Sequence, residues 1–242
     1  MASEADHDDP GGDASAGGAV DAGADASAGG AVDAGPDAST GGAVDAGAAT
    51  RYRRAGRDED AAPVRLLTLG HGTLEADGFA SLLVASGVEV LVDVRSYPGS
   101  RRHPHFGRAA MEEWVPRSGV RYRWEPRLGG RRRTRPDSPH VALRNPAFRG
   151  YADHMGTEEF RAGLEDVLAE AARARVAVMC AESLWWRCHR RLIADAAVLL
   201  AHAEVEHLMH EGAPVPHPVT PGARRSGDRV VYDAGGAVSL PL

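Results

Sequence analysis

Lysine is absent from this chain. All 28 of its basic residues are arginine, set against 34 acidic residues in 242, for a formal net charge of −6. Every cationic side-chain contact it makes at neutral pH is therefore a guanidinium contact, apart from histidine. Guanidinium grips phosphate or carboxylate through two parallel hydrogen bonds, which an ammonium cannot do. Cysteine is scarce too. Two residues, Cys180 and Cys188, exclude a disulfide framework. No apolar run approaches the ~20 residues a membrane helix needs. The first residues lack the basic start and apolar stretch of a secretory signal. The expectation is a cytoplasmic protein with reduced thiols and no membrane partner.

Residues 1–50 hold ten acidic residues and neither Lys nor Arg. A twelve-residue unit recurs from Asp13, Asp25 and Asp37 (DASAGGAVDAGA and close variants). One Val per unit cannot bury enough apolar area to offset chain entropy. Residues 1–60 are expected to be a disordered acidic tail ahead of one α/β domain over 61–242. Without residues 1–50, the chain keeps 28 basic and 24 acidic residues, so its net charge changes sign to +4.

The apolar pattern predicts alternating strands and helices. Val64–Leu69, Val88–Val94, Val120–Trp124, Val176–Met179 and Val205–Met209 read as strands, and Arg229–Tyr232 as an added edge strand. Between them, Asp77 is placed to cap a helix carrying Phe79, Leu82 and Leu83 and ended by Gly87. Residues 108–115 form a short helix closed by Pro116 and Gly119. Thr157 caps an amphipathic helix with Phe160, Leu164 and Val167, and a last helix runs from near Cys188 to Ala201. Pro126–Asn145 reads as a long Arg-rich loop. The alternation implies an α/β fold with a mainly parallel sheet of about five strands flanked by helices. Ligands of such sheets bind beyond the carboxyl ends of the strands.

Chemistry-bearing residues collect where those strands end. Gly70-His71-Gly72-Thr73 follows the first. Its glycines let backbone approach a ligand, and His71 is a general-base candidate. Asp93 and Arg95 leave the second strand on the same side, either as an internal ion pair or as a pair offered to substrate. Gly129 and Gly130 lie in the loop after the third. Cys180-Ala181-Glu182 leaves the fourth, and Cys188-His189-Arg190 opens the last helix. A helix N-terminus and flanking arginines favour a thiolate at Cys188. Cys180 is equally at home as a small core residue. Cys180, Glu182, Cys188 and His189 could together ligate a metal, although their spacing lacks the paired cysteines of structural zinc sites. Arg101, Arg102, His103 and His105, with Arg127, Arg131, Arg132, Arg133 and Arg135, make two basic loops that could follow a nucleic-acid backbone or simply be solvated. Trp185 and Trp186 form a lid, a stacking wall or a cover for the sheet end.

With these residues assembled, the chain resembles the domain-of-unknown-function family numbered 488. The resemblance rests on TLGHGT (68–73), VLVDVRSYPGSRR (90–102), PRLGG (126–130), GYADHM (150–155) and MCAESLWWRCHRRLIAD (179–195). It implies a compact prokaryotic α/β domain and no established activity. Asp-Val-Arg at a strand end and a Cys loop running into a helix are also similar to rhodanese-type sulfurtransferases. Here, however, Arg187 is the first Arg after Cys180, a wider loop than those enzymes use.

Three functions are compatible with these residues. The favoured one is an enzyme acting on a phosphate-bearing or nucleotide-like ligand. Its catalytic candidates are Cys188, Cys180, His71, Glu182 and His189, and its ligand-binding candidates are Gly70, Gly72, Thr73, Asp93, Arg95, Arg102, Gly129, Gly130 and Arg190. The second is a nucleic-acid-binding module. The third is rhodanese-like sulfur transfer or a metal site. No cofactor or oligomeric state is assigned.

Overall fold

The computed structural model describes residues 62–99 and 102–233; the acidic repeats, the hinge before Ala62 and Arg101 lie outside the described residues. Six strands form one sheet in the order β3-β2-β4-β1-β5-β6. These are β1 (Arg65–Gly70), β2 (Val90–Asp93), β3 (Arg121–Trp124), β4 (Val176–Cys180), β5 (Glu204–His207) and β6 (Val215–Pro216). The first five run parallel, and only β6 is antiparallel to its neighbour. Five helices flank the sheet: α1 (Ala76–Ala85), α2 (Arg108–Trp114), α3 (Pro146–Met155), α4 (Glu158–Ala171) and α5 (Arg190–Ala201).

The two faces follow from alternation along the strands. Leu67 and Leu69 of β1, Leu91 of β2 and Met179 of β4 meet Phe79 and Leu83 of α1 and Met111 of α2. Leu66, Val90, Val92, Val176 and Val178 point the other way, toward Tyr151 of α3, Phe160 and Leu164 of α4, and Leu192 and Ile193 of α5. The chain therefore leaves β1 toward one face and β4 toward the other. Because β1 and β4 are hydrogen-bonded neighbours, their carboxyl ends form a topological switch point, where a crevice opens between diverging connections.

Several local expectations are corrected. Arg229–Tyr232 (β8) is not an edge of the main sheet; it pairs with β7 (Ala223–Ser226) in a separate hairpin. The two-residue turn is Gly227-Asp228, and Gly227 adopts φ +64°, the left-handed geometry that tight hairpins require. The edge position goes instead to the short β6. Asp77 does not cap α1. Glu75 holds the cap position without a side-chain bond, and Asp77 lies in the first turn, where its charge suits the helix dipole. The Arg-rich loop is followed by a helix, α3. Asn145 caps it by accepting from the Ala147 amide at 2.9 Å, and Pro146 fills its first position. Thr157 caps α4 through the Phe160 amide at 3.2 Å.

A chain of polar side chains crosses the buried region. Arg190 Nη1 donates to Thr68 Oγ1 (3.4 Å), and Thr68 donates to His207 Nδ1 (2.7 Å). His207 Nε2 donates to His217 Nδ1 (3.0 Å), and His217 Nε2 donates to Asp195 Oδ1 (3.0 Å). Tyr232 and the Thr220 amide also donate to Asp195 (2.9 and 2.8 Å). Every hydrogen points from Arg190 toward Asp195, so the chain is satisfied throughout.

Burial, with the neighbouring His217 and Arg190, lowers the pKa of His207 to about 3. Between about pH 6.5 and 3 the unfolded chain binds a proton at this residue that the folded chain refuses. Stability should thus fall as pH falls through this window, by on the order of 1.4 kcal/mol per pH unit for this one group. Urea denaturation at pH 7, 6 and 5 should show a shallower decline for H207Q than for the parent. Equal slopes would remove His207 as a source of acid lability.

Candidate functional site

The ladder between β1 and β4 continues past both strands. His71 N donates to Cys180 O at 3.0 Å and Gly72 N to Ala181 O at 2.9 Å. This places the glycine turn beside the cysteine loop. A Cβ on Gly70 would run into the Glu182 carbonyl and the Arg190 guanidinium, so only glycine lets the two loops lie this close. Val94 N donates to Met179 O at 2.9 Å, which brings the β2 exit alongside. Together these loops frame a cavity of about 610 Å³.

Of the candidates read from sequence, nine line it: His71, Gly72, Thr73, Arg95, Gly130, Cys180, Glu182, Cys188 and His189. Five do not. Asp93 lies behind Arg95, Gly70 and Gly129 pack against neighbouring chain, Arg190 is buried beneath the site, and Arg102 is exposed outside the lining. Sequence reasoning missed Ser96, Tyr97, Arg131, Phe148 and Tyr151 as lining residues. One signal was within reach: Phe148 and Tyr151 are three apart on the helix that Asn145-Pro146 announces. Trp185 and Trp186 are not part of the wall. Trp185 lies parallel to the His207 ring at 4.1 Å, and Trp186 is exposed.

The sulfur atoms meet around one imidazole. His189 Nδ1 lies 3.8 Å from Cys180 Sγ and 3.7 Å from Cys188 Sγ. Its Nε2 donates to Val94 O at 3.2 Å; a carbonyl can only accept, so the ring proton sits on Nε2 and the Nδ1 lone pair faces the sulfurs. A Cβ on Gly130 would come within 2.9 Å of this ring, so the glycine keeps its place clear. Both cysteines are free and buried. Burial pushes the Cys188 thiol up. The hydrogen bond from Cys180, with the Arg190 guanidinium nearby, outweighs it and holds Cys188 well below the usual thiol range. Cys180 is held well above that range by its hydrogen bond to Cys188 and by burial.

Arg190 accounts for much of this. It is 1% exposed, and among the described residues no carboxylate pairs with it. Its Nη2 donates to Glu182 O and its Nε to Cys188 Sγ at 3.4 Å. A buried cation without a counter-charge is costly; a Cys188 thiolate supplies one.

Asp93 and Arg95 form an internal pair. Arg95 Nε and Nη2 donate to the Asp93 carboxylate at 2.8 and 2.6 Å, and Tyr122 adds a third donor at 2.7 Å. Arg95 Nη1 turns to His71 Nε2 at 3.4 Å. Burial and Arg95 lower the His71 pKa to about 4. His71 is therefore uncharged near neutrality. Its Nδ1 donates to Gly72 O at 3.0 Å, and its face stacks on Phe106 at 4.1 Å.

Arg127 pairs with Glu125 and Asp166, Arg132 with Glu159 and Arg135 with Asp137. Arg131 and Arg187, both lining the cavity, have no carboxylate partner among the described residues. Arg131 also has a left-handed backbone, φ 59°, a strained conformation that non-glycine residues adopt mostly where surrounding structure imposes it.

The family model described as "Domain of unknown function DUF488" matches residues 75–197. The chain belongs to this family. The DUF488 match takes in Cys180, Cys188 and His189 and begins after β1, so His71 lies outside it. Comparison with curated proteins and with solved structures gave no match. Among the described residues of this DUF488 protein, no helix is long and apolar enough to cross a membrane.

The contact at Gly70 can be tested by substitution. G70A should destabilise the fold by about 1–3 kcal/mol, the cost of forcing atoms into filled space. G99A, where a Cβ would meet nothing within 4 Å, should be near neutral. Equal melting temperatures for the two variants would contradict this account of loop packing.

Proposed function

We propose that this protein is an enzyme acting on a phosphate-bearing, nucleotide-sized ligand. The ligand lies in the cavity at the switch point, and the Cys180–Cys188–His189 cluster is the reacting centre. One observation carries the reading: electron-rich sulfur and imidazole open onto the same cavity as unpaired guanidinium groups. The volume of about 610 Å³ falls in the range of small-ligand sites. Arg131 and Arg187 are placed to grip an anion bidentately, and Arg95, fixed by Asp93, adds positive potential from the wall. Phe148 and the exposed Tyr97 offer aromatic surface for a flat ring. His71, neutral and facing Arg95, serves better as a hydrogen-bonded wall than as a base. The pairing of Arg127, Arg132 and Arg135 with carboxylates favours the small ligand over a nucleic-acid backbone.

Calorimetric titration with a nucleoside diphosphate and with pyrophosphate tests the reading. The parent should bind at least one of them, and R131A and R187A should each weaken binding by about tenfold, the loss of one charged hydrogen-bonded contact. Binding that is absent, or unchanged in both variants, would overturn it.

A further inference from the structure

We infer that Cys180, Cys188 and His189 hold a zinc ion, with its fourth coordination position open to the cavity. Tetrahedral zinc has bonds of about 2.3 Å to sulfur and 2.0–2.1 Å to imidazole nitrogen, which sets its sulfur and nitrogen ligands about 3.6 Å apart. The two sulfur–nitrogen separations here are 3.8 and 3.7 Å, and all three donor atoms lie within 4.8 Å of one another. Contraction of the two sulfur–nitrogen separations by one or two tenths of an ångström would match them to that geometry.

Three further observations point the same way. His189 Nδ1 directs its lone pair between the sulfurs because Nε2–H is anchored on Val94 O. Metal-bound histidines almost always donate their second ring N–H to such an acceptor. Arg190 donates to Cys188 Sγ from the buried side, where it would stabilise a thiolate without blocking the face toward the cavity. All three donors line that cavity, so the open position faces the ligand space rather than protein. Glu182 lines the same space, but its carboxylate accepts from the Leu184 amide at 3.4 Å and is not in the cluster. Two thiolates and one imidazole suit zinc over hard cations, which prefer oxygen. Three protein ligands with an open position are the pattern of catalytic rather than structural zinc.

Both thiols enter as thiolates and their protons leave to solvent. With neutral His189, the site then has no net charge, and a water or a ligand oxygen takes the fourth position. The inference stands on these distances and goes beyond the proposed activity. With the ion in place, the cavity ligand meets a Lewis acid held by sulfur rather than a bare thiolate.

Full-length protein purified without chelators and then exchanged against zinc should retain about one equivalent per chain by elemental analysis. Cobalt substitution should give thiolate-to-cobalt charge transfer and the visible bands of tetrahedral cobalt. C180S, C188S and H189A should each lose the charge-transfer pattern or weaken zinc binding by at least about a hundredfold, whereas E182Q should retain both. A readout without variants guards against misfolding: zinc should slow alkylation of both thiols in the parent, and chelation should restore it. Substoichiometric metal in folded parent, equal alkylation with and without zinc, or an unchanged cobalt spectrum in H189A would overturn the inference. Phosphate-ligand binding by metal-free protein is measured separately. Anion binding without zinc would leave the proposed function standing, and zinc without anion binding would leave the metal site standing.

Discussion

The hydrogen-bond ladder between β1 and β4 does not stop where the strands stop. Two further backbone bonds, from His71 to Cys180 and from Gly72 to Ala181, zip the departing loops together before the chain splits toward opposite faces of the sheet. The close approach depends on one missing side chain, at Gly70. From it follow the position of Cys180, the crevice that opens beyond the switch point, and the pocket into which Arg190 is packed. A lateral shift of either loop would separate groups that are more than a hundred residues apart in sequence.

Arg190 links that backbone geometry to the chemistry. Its three nitrogens reach a loop carbonyl, a thiol sulfur and a strand hydroxyl. One side chain thus fixes the cysteine loop, biases Cys188 toward its anion and begins the polar chain through Thr68, His207 and His217 to Asp195. Buried polar networks of this kind cost stability if left half-satisfied, yet here each donor has an acceptor. The sheet end is consequently held by directional contacts as well as by apolar packing, the rigidity a binding site needs beneath it.

Much of the architecture was legible because the central strands β1, β2 and β4 are buried on both faces and therefore appear as apolar runs, VEVLVDV most plainly. Their ends, and the polar candidates just beyond, followed from that. The convergence of His71, Arg95, Cys180 and His189 on one cavity could be anticipated from parallel strand direction alone. What escaped notice arrived by other routes. Phe148 and Tyr151 reach the cavity from α3, whose only strong signal is an Asn-Pro cap after a run of arginines. Arg131, read only as one member of a basic loop, is turned into the cavity through a left-handed backbone that no propensity favours. Arg190 looked like an anion clamp, since neighbouring basic residues give no hint that one of them points inward. Arg229–Tyr232 had the apolar alternation of an edge strand, but alternation cannot say which strand is the partner; the Gly227-Asp228 turn decided that locally. His207, His217 and Asp195 carry no motif, because a buried relay is defined by contacts across three elements and not by spacing.

Trp185 lies flat on His207, 6° from parallel, midway along the polar chain that runs from Arg190 to Asp195. Indole emission is quenched more strongly by a charged imidazolium than by a neutral ring. The protein thus carries its own optical reporter: light emitted by one tryptophan reads the protonation of a histidine that is connected, through Thr68 and Arg190, to the sulfur of Cys188.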